Sequence, residues 1–495
     1  MNIPIYFNKN TLRDKIHACW IGKNIGGTMG APYEGRREMQ DVKGFSTPEG
    51  TVLPNDDLDL QIVWLKALED HGPDKLNGRI LAEYWLDLIG PNWNEYGICK
   101  ANLRNGMLPP MSGALHNDEW MHSNGAWIRT EIWACTNPGC VENAVRLAYE
   151  DASVDHGFGE GTYAAIFVAA MESAAFVIDD IRALLKIGLS KIPADCLVAR
   201  CVNVAITGYD DGKTWQEARA AVLRENGDLG WFQAPANIAY AVIGLLYGGN
   251  DFKQCMIIAI NCGDDTDCTA ATVGALLGIM HGTAFIPEDW RQHVGDKIVT
   301  VALITGRWYT LSSCAELTEC VMRQIPGMTR CNMDVYADWV KQIEVVIGDG
   351  ADDYSRVTAE DFCGDDFVKK TFARSPYSFV AEGVFEDAVV EFDRAPIVKA
   401  GEELKCKITL SQKNHYSTQA VYSFKWHLPE GWSVSGPHHV FVNECVNAPL
   451  LKVDGRSAEV TIVAGERPEA VNRLILEIDR QDSVTPMLIS LSVLA

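Results

Sequence analysis

The chain has 495 residues, of which 47% are apolar, and carries a formal charge of −23. At about 150 residues per domain this length allows two to four domains, and the apolar share is enough for a large core. The negative balance argues against binding nucleic-acid backbones or anionic membrane surfaces, which need clustered Lys and Arg; by itself it means solubility. The 15 cysteines are scattered and odd in number. They form no C-x-x-C, so neither a disulfide framework nor a zinc ribbon is expected, and free thiols suit a reducing cytosol. Met1 to Lys9 lacks the basic start and apolar run of a signal peptide, and no segment reaches the ~18 apolar residues of a membrane helix. The chain is therefore expected in the cytoplasm, with no nucleic-acid or membrane partner; a homo-oligomer stays open.

In chain order, Thr11 to Asp14 reads as a helix cap and first turn. Gly22, Gly26 and Gly30 recur every four residues, so they line one helix face where another backbone can approach. No strand precedes them and no Gly-Lys-Ser/Thr follows, which rejects a phosphate loop. Residues 57–70 and 79–90 read as helices, with Leu60, Val63, Trp64, Ala67 and Leu68 at helical spacing. Residues 91–136, with five Trp or Tyr and three Pro, read as a loop-rich insert; its indoles either cover a site or fill the core. Asn124-Gly125 marks a turn. Asp155-His156 reads as loop sequence, where a lone His is usually solvated. Helical patterns follow over 160–175, 178–188, 194–206, 214–225, 234–247, 251–261 and 312–324. Strand-like alternation before residue 340 is confined to Lys297 to Thr305. The composition shifts at Gly348, and after Pro376 about seven short β runs, from Val380 to Val493, read as an immunoglobulin-type β-sandwich. Asn443-Glu444-Cys445 and Asp454-Gly455 read as turns between them. The expected organisation is an all-α domain over 1–345, a linker or crossover over 346–375 and the sandwich over 376–495. Glycan binding, an interdomain prop and a dimer surface all stay open for the sandwich.

Two acidic clusters carry the chemistry. Asn261-Cys262-Gly263-Asp264-Asp265-Thr266-Asp267-Cys268 follows an apolar run and opens a helix. Asn55-Asp56-Asp57-Leu58-Asp59 opens another. One Asp suffices to cap a helix. Several in one turn repel each other unless a hard cation such as Mg²⁺, Mn²⁺ or Ca²⁺ neutralises them. A cap cluster without metal is the rival reading. If the two clusters converge, they supply the ligands of a two-metal site.

Five segments, in one order, resemble the ADP-ribosylglycohydrolase family over residues 10–340. Gly22 through Gly26 to Gly30-Ala31-Pro32-Tyr33-Glu34 resembles its Gly-rich first helix ending in Glu. Asn55-Asp56-Asp57 resembles its Ser/Thr-Asp-Asp motif, and Asn124-Gly125 with Arg129 its Asn-Gly…Met-Arg segment. Asp155-His156 resembles its Thr-His pair. The cluster at 261–268 resembles Asn-x-Gly-Gly-Asp-x-Asp-Thr. The resemblance implies an all-α fold, two Mg²⁺ or Mn²⁺ ions and hydrolysis of an ADP-ribosyl glycosidic bond. It implies Asn55, Asp56, Asp57, Asp265, Asp267 and Cys268 as metal ligands. Glu34, with Asp118 behind it, would be the acid or base. Asn124, Gly125, Arg129, Asp155 and His156 would contact substrate. The chain departs from the pattern at Asn55 (for Ser or Thr), at Gly26-Gly27-Thr28 (for Gly-Asp-Ala) and at Cys268 (for Thr), where a soft sulfur replaces a hard hydroxyl. The expected function is metal-dependent cleavage of a ribosyl-type bond, most readily ADP-ribosyl on a protein side chain or small molecule. The alternatives are hydrolysis of another pentofuranosyl or nucleoside-like glycoside, and an inactive member that binds ADP-ribose or a glycan.

Overall fold

The computed structural model describes residues 3–73, 75–301, 311–331, 343–384, 386–412, 419–443, 456–481 and 483–495. Strand β1 (Ile3–Asn8) leads directly into helix α1 (Lys9–Gly30). The cap is Asn8, whose side chain accepts from the backbone N–H groups of Asn10 and Thr11 at 2.9 and 3.4 Å. The helix thus starts before the expected cap at Thr11, because the Asn8 side chain already satisfies the first free donors. There follow α2 (Asp56–His71), α3 (Gly78–Asp87), α4 (Asn94–Arg104), α5 (Met111–Ala114), α6 (Glu131–Thr136), α7 (Val141–His156) and α8 (Glu160–Ala175). The series continues with α9 (Ile181–Leu189), α10 (Leu197–Asp210), α11 (Trp215–Asn226), α12 (Ala234–Gly248), α13 (Phe252–Asn261), α14 (Thr266–His281), α15 (Glu288–Val294) and α16 (Cys314–Cys331).

Every residue of α1 from Ala18 to Gly30 is buried, so this helix runs through the middle of the body. It packs on α14, glycine to backbone. A Cβ on Gly26 would sit 2.3 Å from Ala270, one on Gly22 would meet Gly274 O at 2.1 Å, and one on Gly30 would meet Thr266 O at 2.4 Å. From α14, Gly274 and Gly278 return the contact on Gly22 and Ala18. The fourfold glycine spacing read in the sequence therefore marks a backbone-to-backbone seam.

The segment 91–136 is more helical than expected. It holds α4, α5 and α6, and its Trp127 and Trp133 are fully buried core residues. Its Pro, Gly and Trp content hid the helical spacing. Of the strand-like Lys297 to Thr305, Lys297 forms a single bridge with Ser313, and residues 302–305 lie outside the described residues. A small parallel pair absent from the sequence reading joins β1 to β2 (Ile343–Gly348), Ile3 opposite Ile343 through Asn8 opposite Gly348. The stretch that reads as a linker folds back on the helical body as α17 (Ala359–Phe362) and α18 (Asp366–Thr371). There Phe372 packs edge-on against Tyr149, Phe158 and Tyr163, at ring distances of 6.0, 5.0 and 5.0 Å.

The C-terminal part comprises β3 (Ser378–Glu382), β4 (Glu386–Phe392), β5 (Glu403–Gln412), β6 (Gln419–His427), β7 (Ser433–Ser435), β8 (His439–Asn443), β9 (Ser457–Val463), β10 (Val471–Arg480) and β11 (Met487–Leu494). They form two antiparallel sheets, ordered β3-β4-β5-β9-β7 and β11-β10-β6-β8. Alternate residues of each sheet, such as Val460 and Ile462, Leu474 and Leu476, meet in one core. That is the expected sandwich, with β7 and β8 added between Gly431 and residue 443. The residues expected to turn at 444–445 and 454–455 lie outside the described residues. Met107, Met111 and Leu115 of the helical body join this second core, so the sandwich is docked rather than tethered.

Gly26→Ala is expected to lower the thermal midpoint and cost at least about 1–3 kcal/mol, the range of overpacking, because its neighbour is backbone and cannot rotate away. Gly348→Ala, whose Cβ meets nothing within 4 Å, should leave the midpoint unchanged. Equal melting of the two variants would remove the close-packed seam.

Candidate active site

Helix α1 brings the two acidic helix starts together. On one side Gly30 lies against Thr266 and Asp267, and the Thr266 hydroxyl donates to Gly30 O at 2.8 Å. On another, Gly27 faces Asn55, whose Nδ2 would lie 2.4 Å from a Cβ placed there. Asn55 caps α2, its Oδ1 accepting the Asp57 N–H at 3.0 Å. Capping at α2 is thus done by Asn55 and not by the aspartates. At α14, Asp265 occupies the cap position but its side chain makes no capping hydrogen bond. The rival reading of a plain acidic cap cluster does not describe either turn.

Two groups of donors result. Asp57, Asp267 and Cys268 offer ligand atoms within 4.8 Å of one another, and so do Glu34, Asp265 and Asp267. Asp267 belongs to both. Acidic turns about 200 residues apart in sequence therefore meet. Asp56 lies in neither group, but its charge acts on both Glu34 and Asp57.

Buried amides hold the carboxylates. Asn124 Nδ2 donates to Asp265 Oδ2 at 2.7 Å, and Asn124 is itself fixed by Trp127 Nε1 at 2.9 Å. The Asp265 N–H donates to Asn237 Oδ1 at 3.1 Å. Lys23, fully buried on α1, donates to Glu131 Oε1 at 2.7 Å and lies 3.4 Å from Asp57 Oδ2. Gln61 closes this arrangement, donating to Glu131 Oε2 at 2.8 Å and accepting from the Ile132 N–H at 2.7 Å. Asp264, in the left-handed region at φ 61°, turns away from its neighbours toward Arg37, 3.6 Å distant.

The electrostatics are those of too many acids for one ammonium. Burial lowers the affinity of Lys23 for its proton, but Glu131 and Asp57 outweigh it and hold Lys23 firmly charged. Burial pushes Asp57 up to about 8 against the pull of Lys23. Burial, then Asp265 and Asp56, bring Glu34 up to about 7. Burial and the facing Asp265 hold Asp267 well above the carboxylate range. No hydrogen bond reaches Asp265 Oδ1 or Asp267 Oδ1, although both are buried. Orphaned buried carboxylate oxygens, converging and starved of positive charge, fit divalent cations.

The remaining sequence candidates fall elsewhere. Asp118 is exposed and belongs to neither donor group. Arg129 is completely buried, donating to Asp151 at 3.0 Å, to Asp155 at 2.8 Å and to the Gly125 carbonyl, with its guanidinium over Trp85. Asp155 and His156 are not in a loop, as their Gly-rich surroundings suggest, but end α7 in full burial. His156 lies 2.9 Å from Asp155 and 2.9 Å from Ser123 Oγ. Gly125 is buried as well; a Cβ there would strike Glu95 at 2.3 Å. These four residues underlie the site as a packed polar network. Lys23, Glu131, Gln61 and Asn237 escaped the sequence reading. The available signal was a polar residue inside an otherwise small or apolar helical stretch, as Lys23 and Asn24 are between Gly22 and Gly26 and Asn237 is within α12.

Two outcomes follow for metal-free protein. Carboxyls whose folded pKa lies above the unfolded value stabilise the fold fully below about pH 4, and that contribution is lost as pH rises. With Asp57 near 8 and Glu34 near 7, the thermal midpoint in chelator should fall between about pH 4 and 8, less steeply in Asp57→Asn, and Mn²⁺ should flatten the fall by displacing the protons. A slope untouched by both Asp57→Asn and Mn²⁺ would contradict this. Separately, Lys23→Met should cost about 3–5 kcal/mol in denaturant melts by stranding Glu131, with partial recovery on adding Glu131→Gln.

A family model described as ADP-ribosylglycohydrolase matches residues 8–319. Among curated proteins, ADP-ribosylarginine hydrolase Tri1 of Pseudomonas putida (strain GB-1) is similar, 33% identical over 54 residues. That match spans 11% of this chain and only 15% of the relative's length. Among solved structures, an ADP-ribosylglycohydrolase-related protein complex aligns over 64% of this chain and 99% of that one, at 20% identity and a TM-score of 0.44. The GAE domain of GGA2p from Saccharomyces cerevisiae aligns over 24% of this chain and 96% of its own, at 13% identity and a TM-score of 0.16.

Proposed function

The chain belongs to the ADP-ribosylglycohydrolase family, and on that premise we propose that it is a metal-dependent hydrolase of a ribosyl-type glycosidic bond, foremost ADP-ribosyl carried by a protein side chain or a small molecule. The observation that carries this reading is the sharing of Asp267 between two donor groups, which joins both acidic helix starts in one cluster. Asp57, Asp265, Asp267 and Glu34 would hold two divalent cations, Mg²⁺ or Mn²⁺. Bound there, such ions supply Lewis-acid polarisation of a ribose hydroxyl or a water.

The chain's own groups do the rest. Departure of the leaving group makes oxocarbenium-like charge at the anomeric carbon, and the nearby carboxylates stabilise it. Glu34, exposed at the rim, can take a proton from water or give one to the leaving atom through the carboxylate oxygen that it does not offer to a cation. Asn124 and Asn237 fix Asp265 from either side. Lys23 fixes Asp57. Arg129, Asp155 and His156 position the Asn124-Gly125 turn from beneath, as the Arg129 bond to the Gly125 carbonyl requires. Every cysteine whose side chain is described is a free thiol, which suits a reducing compartment such as the cytosol, and no described helix is long and apolar enough to cross a membrane.

The appended sandwich, together with the departures at Asn55, Gly26-Gly27-Thr28 and Cys268, supports a second reading, the same chemistry on another pentofuranosyl or nucleoside-like glycoside. A panel of ADP-ribosylated arginine protein, free ADP-ribosyl compounds and aryl furanosides separates the two by which product is released. Asp265→Ala should reduce both turnover and Mn²⁺ affinity by at least about 100-fold while far-ultraviolet circular dichroism is unchanged. Asp56→Ala should do the same through its charge on Glu34 and Asp57. Glu34→Gln should lose turnover by about 100-fold with the fold intact. Full activity of Asp265→Ala in chelator would end the metal mechanism, and ligand binding without product under Mn²⁺ would point to an inactive binder.

A further inference from the structure

The two donor groups are not chemically alike. Glu34, Asp265 and Asp267 offer only carboxylate oxygens, the ligands of hard cations. Asp57, Asp267 and Cys268 include a sulfur. The Cys268 side chain is 95% removed from solvent, with relative exposure of 5%, and its Sγ lies 3.7 Å from Asp57 Oδ1. Asp57 is held in that orientation because its other oxygen faces Lys23 at 3.4 Å. Asp267 Oδ1, in a side chain more than nine-tenths buried, takes part in no hydrogen bond.

The Cys268 thiol donates to Asp57 Oδ1 across 3.7 Å, and a cation that displaces that proton needs little movement of either donor, because metal–sulfur and metal–oxygen bonds of about 2.3 and 2.1 Å put the two atoms about 3.1–3.6 Å apart. Three protein donors with a fourth position open is also the ligand count of a catalytic site for a borderline ion. Thiolate ligation favours zinc, cobalt(II) or iron(II) over magnesium, where a hydroxyl would not.

We propose that the centre is mixed: Asp57, Asp267 and Cys268 select a borderline, thiolate-accepting divalent cation, and Glu34, Asp265 and Asp267 take a hard one, with Asp267 between them. This rests on the metal-dependent reading above and replaces Mg²⁺ or Mn²⁺ at one of its two positions. Cys268 is then a selectivity residue for the first ion. Binding there releases the thiol proton to solvent as the sulfur–metal bond forms.

The test is a Co²⁺ titration of metal-free full-length protein, read by absorption, beside calorimetric titrations with Zn²⁺ and Mg²⁺. Wild type should show a near-ultraviolet thiolate-to-cobalt band and strong tetrahedral visible absorption at the first equivalent. Cys268→Ser and Cys268→Thr should lack the band. Their Zn²⁺ affinity should fall by at least about tenfold, while Mg²⁺ affinity changes less than about threefold. If wild type binds Co²⁺ with a spectrum identical to Cys268→Ser, ligation is by oxygen alone; the mixed centre is overturned and the metal-dependent hydrolase stands. If neither protein binds any of the three ions, both readings fall. Circular dichroism of the two variants, which differ from wild type by one or two atoms, confirms that the comparison is between folded proteins.

Discussion

Everything at the candidate site depends on how closely another backbone can approach α1. Gly22, Gly26 and Gly30 leave no room for a side chain against α14, and Gly27 leaves none against Asn55. One helix is therefore the common wall of both acidic turns. The position of Asp267 is set by a backbone contact on Gly30, and that of Asp57 by the Asn55 side chain, which packs on Gly27 and caps α2. A ligand group built on such a seam keeps its geometry before any cation arrives, which is what a catalytic centre requires of its supports.

The same wall carries the main charge compensation. Lys23 projects from α1 between the glycines and meets Asp57 and Glu131 in full burial. One ammonium does not balance Asp56, Asp57, Asp265, Asp267 and Glu34. The excess appears as carboxyls shifted upward, with burial as the first cause and their neighbours next. In the absence of cations the site is a store of electrostatic repulsion relieved by protons. On the metal-dependent proposal, this one imbalance would account for affinity for divalent ions, proton release on binding them and lower stability of the metal-free protein as pH rises.

The buried layer beneath the site has a different logic. Arg129 uses its donors on Asp151, Asp155 and Gly125 and lies over the indole of Trp85, so this guanidinium is fully partnered. The Arg129 bonds position the Asn124-Gly125 turn, and the orphaned carboxylate oxygens above it are left for ligands. The sandwich adds a second core to which Met107, Met111 and Leu115 contribute, and α17 and α18 strap the intervening chain to the helical body.

Much of this was legible in the residues themselves. Helical periodicity gave the helices of the core, period-two alternation gave most of the sandwich, and paired helix-start aspartates in a recognisable order gave the family. Local signals of this kind depend on a residue's near neighbours in sequence, and so survive without coordinates. What only the tertiary structure decided involves partners far apart in the chain. Asp264 turns out to belong to Arg37 and not to its own cluster. Asp155 and His156 lie in the interior, where the glycines around them suggested a loop. Lys23 proves to be the counter-charge of Asp57, and Cys268 proves to face the same carboxylate. No spacing rule reports these, because burial and charge pairing are properties of which surfaces meet, and that is fixed only when α1 closes on α14 and α2.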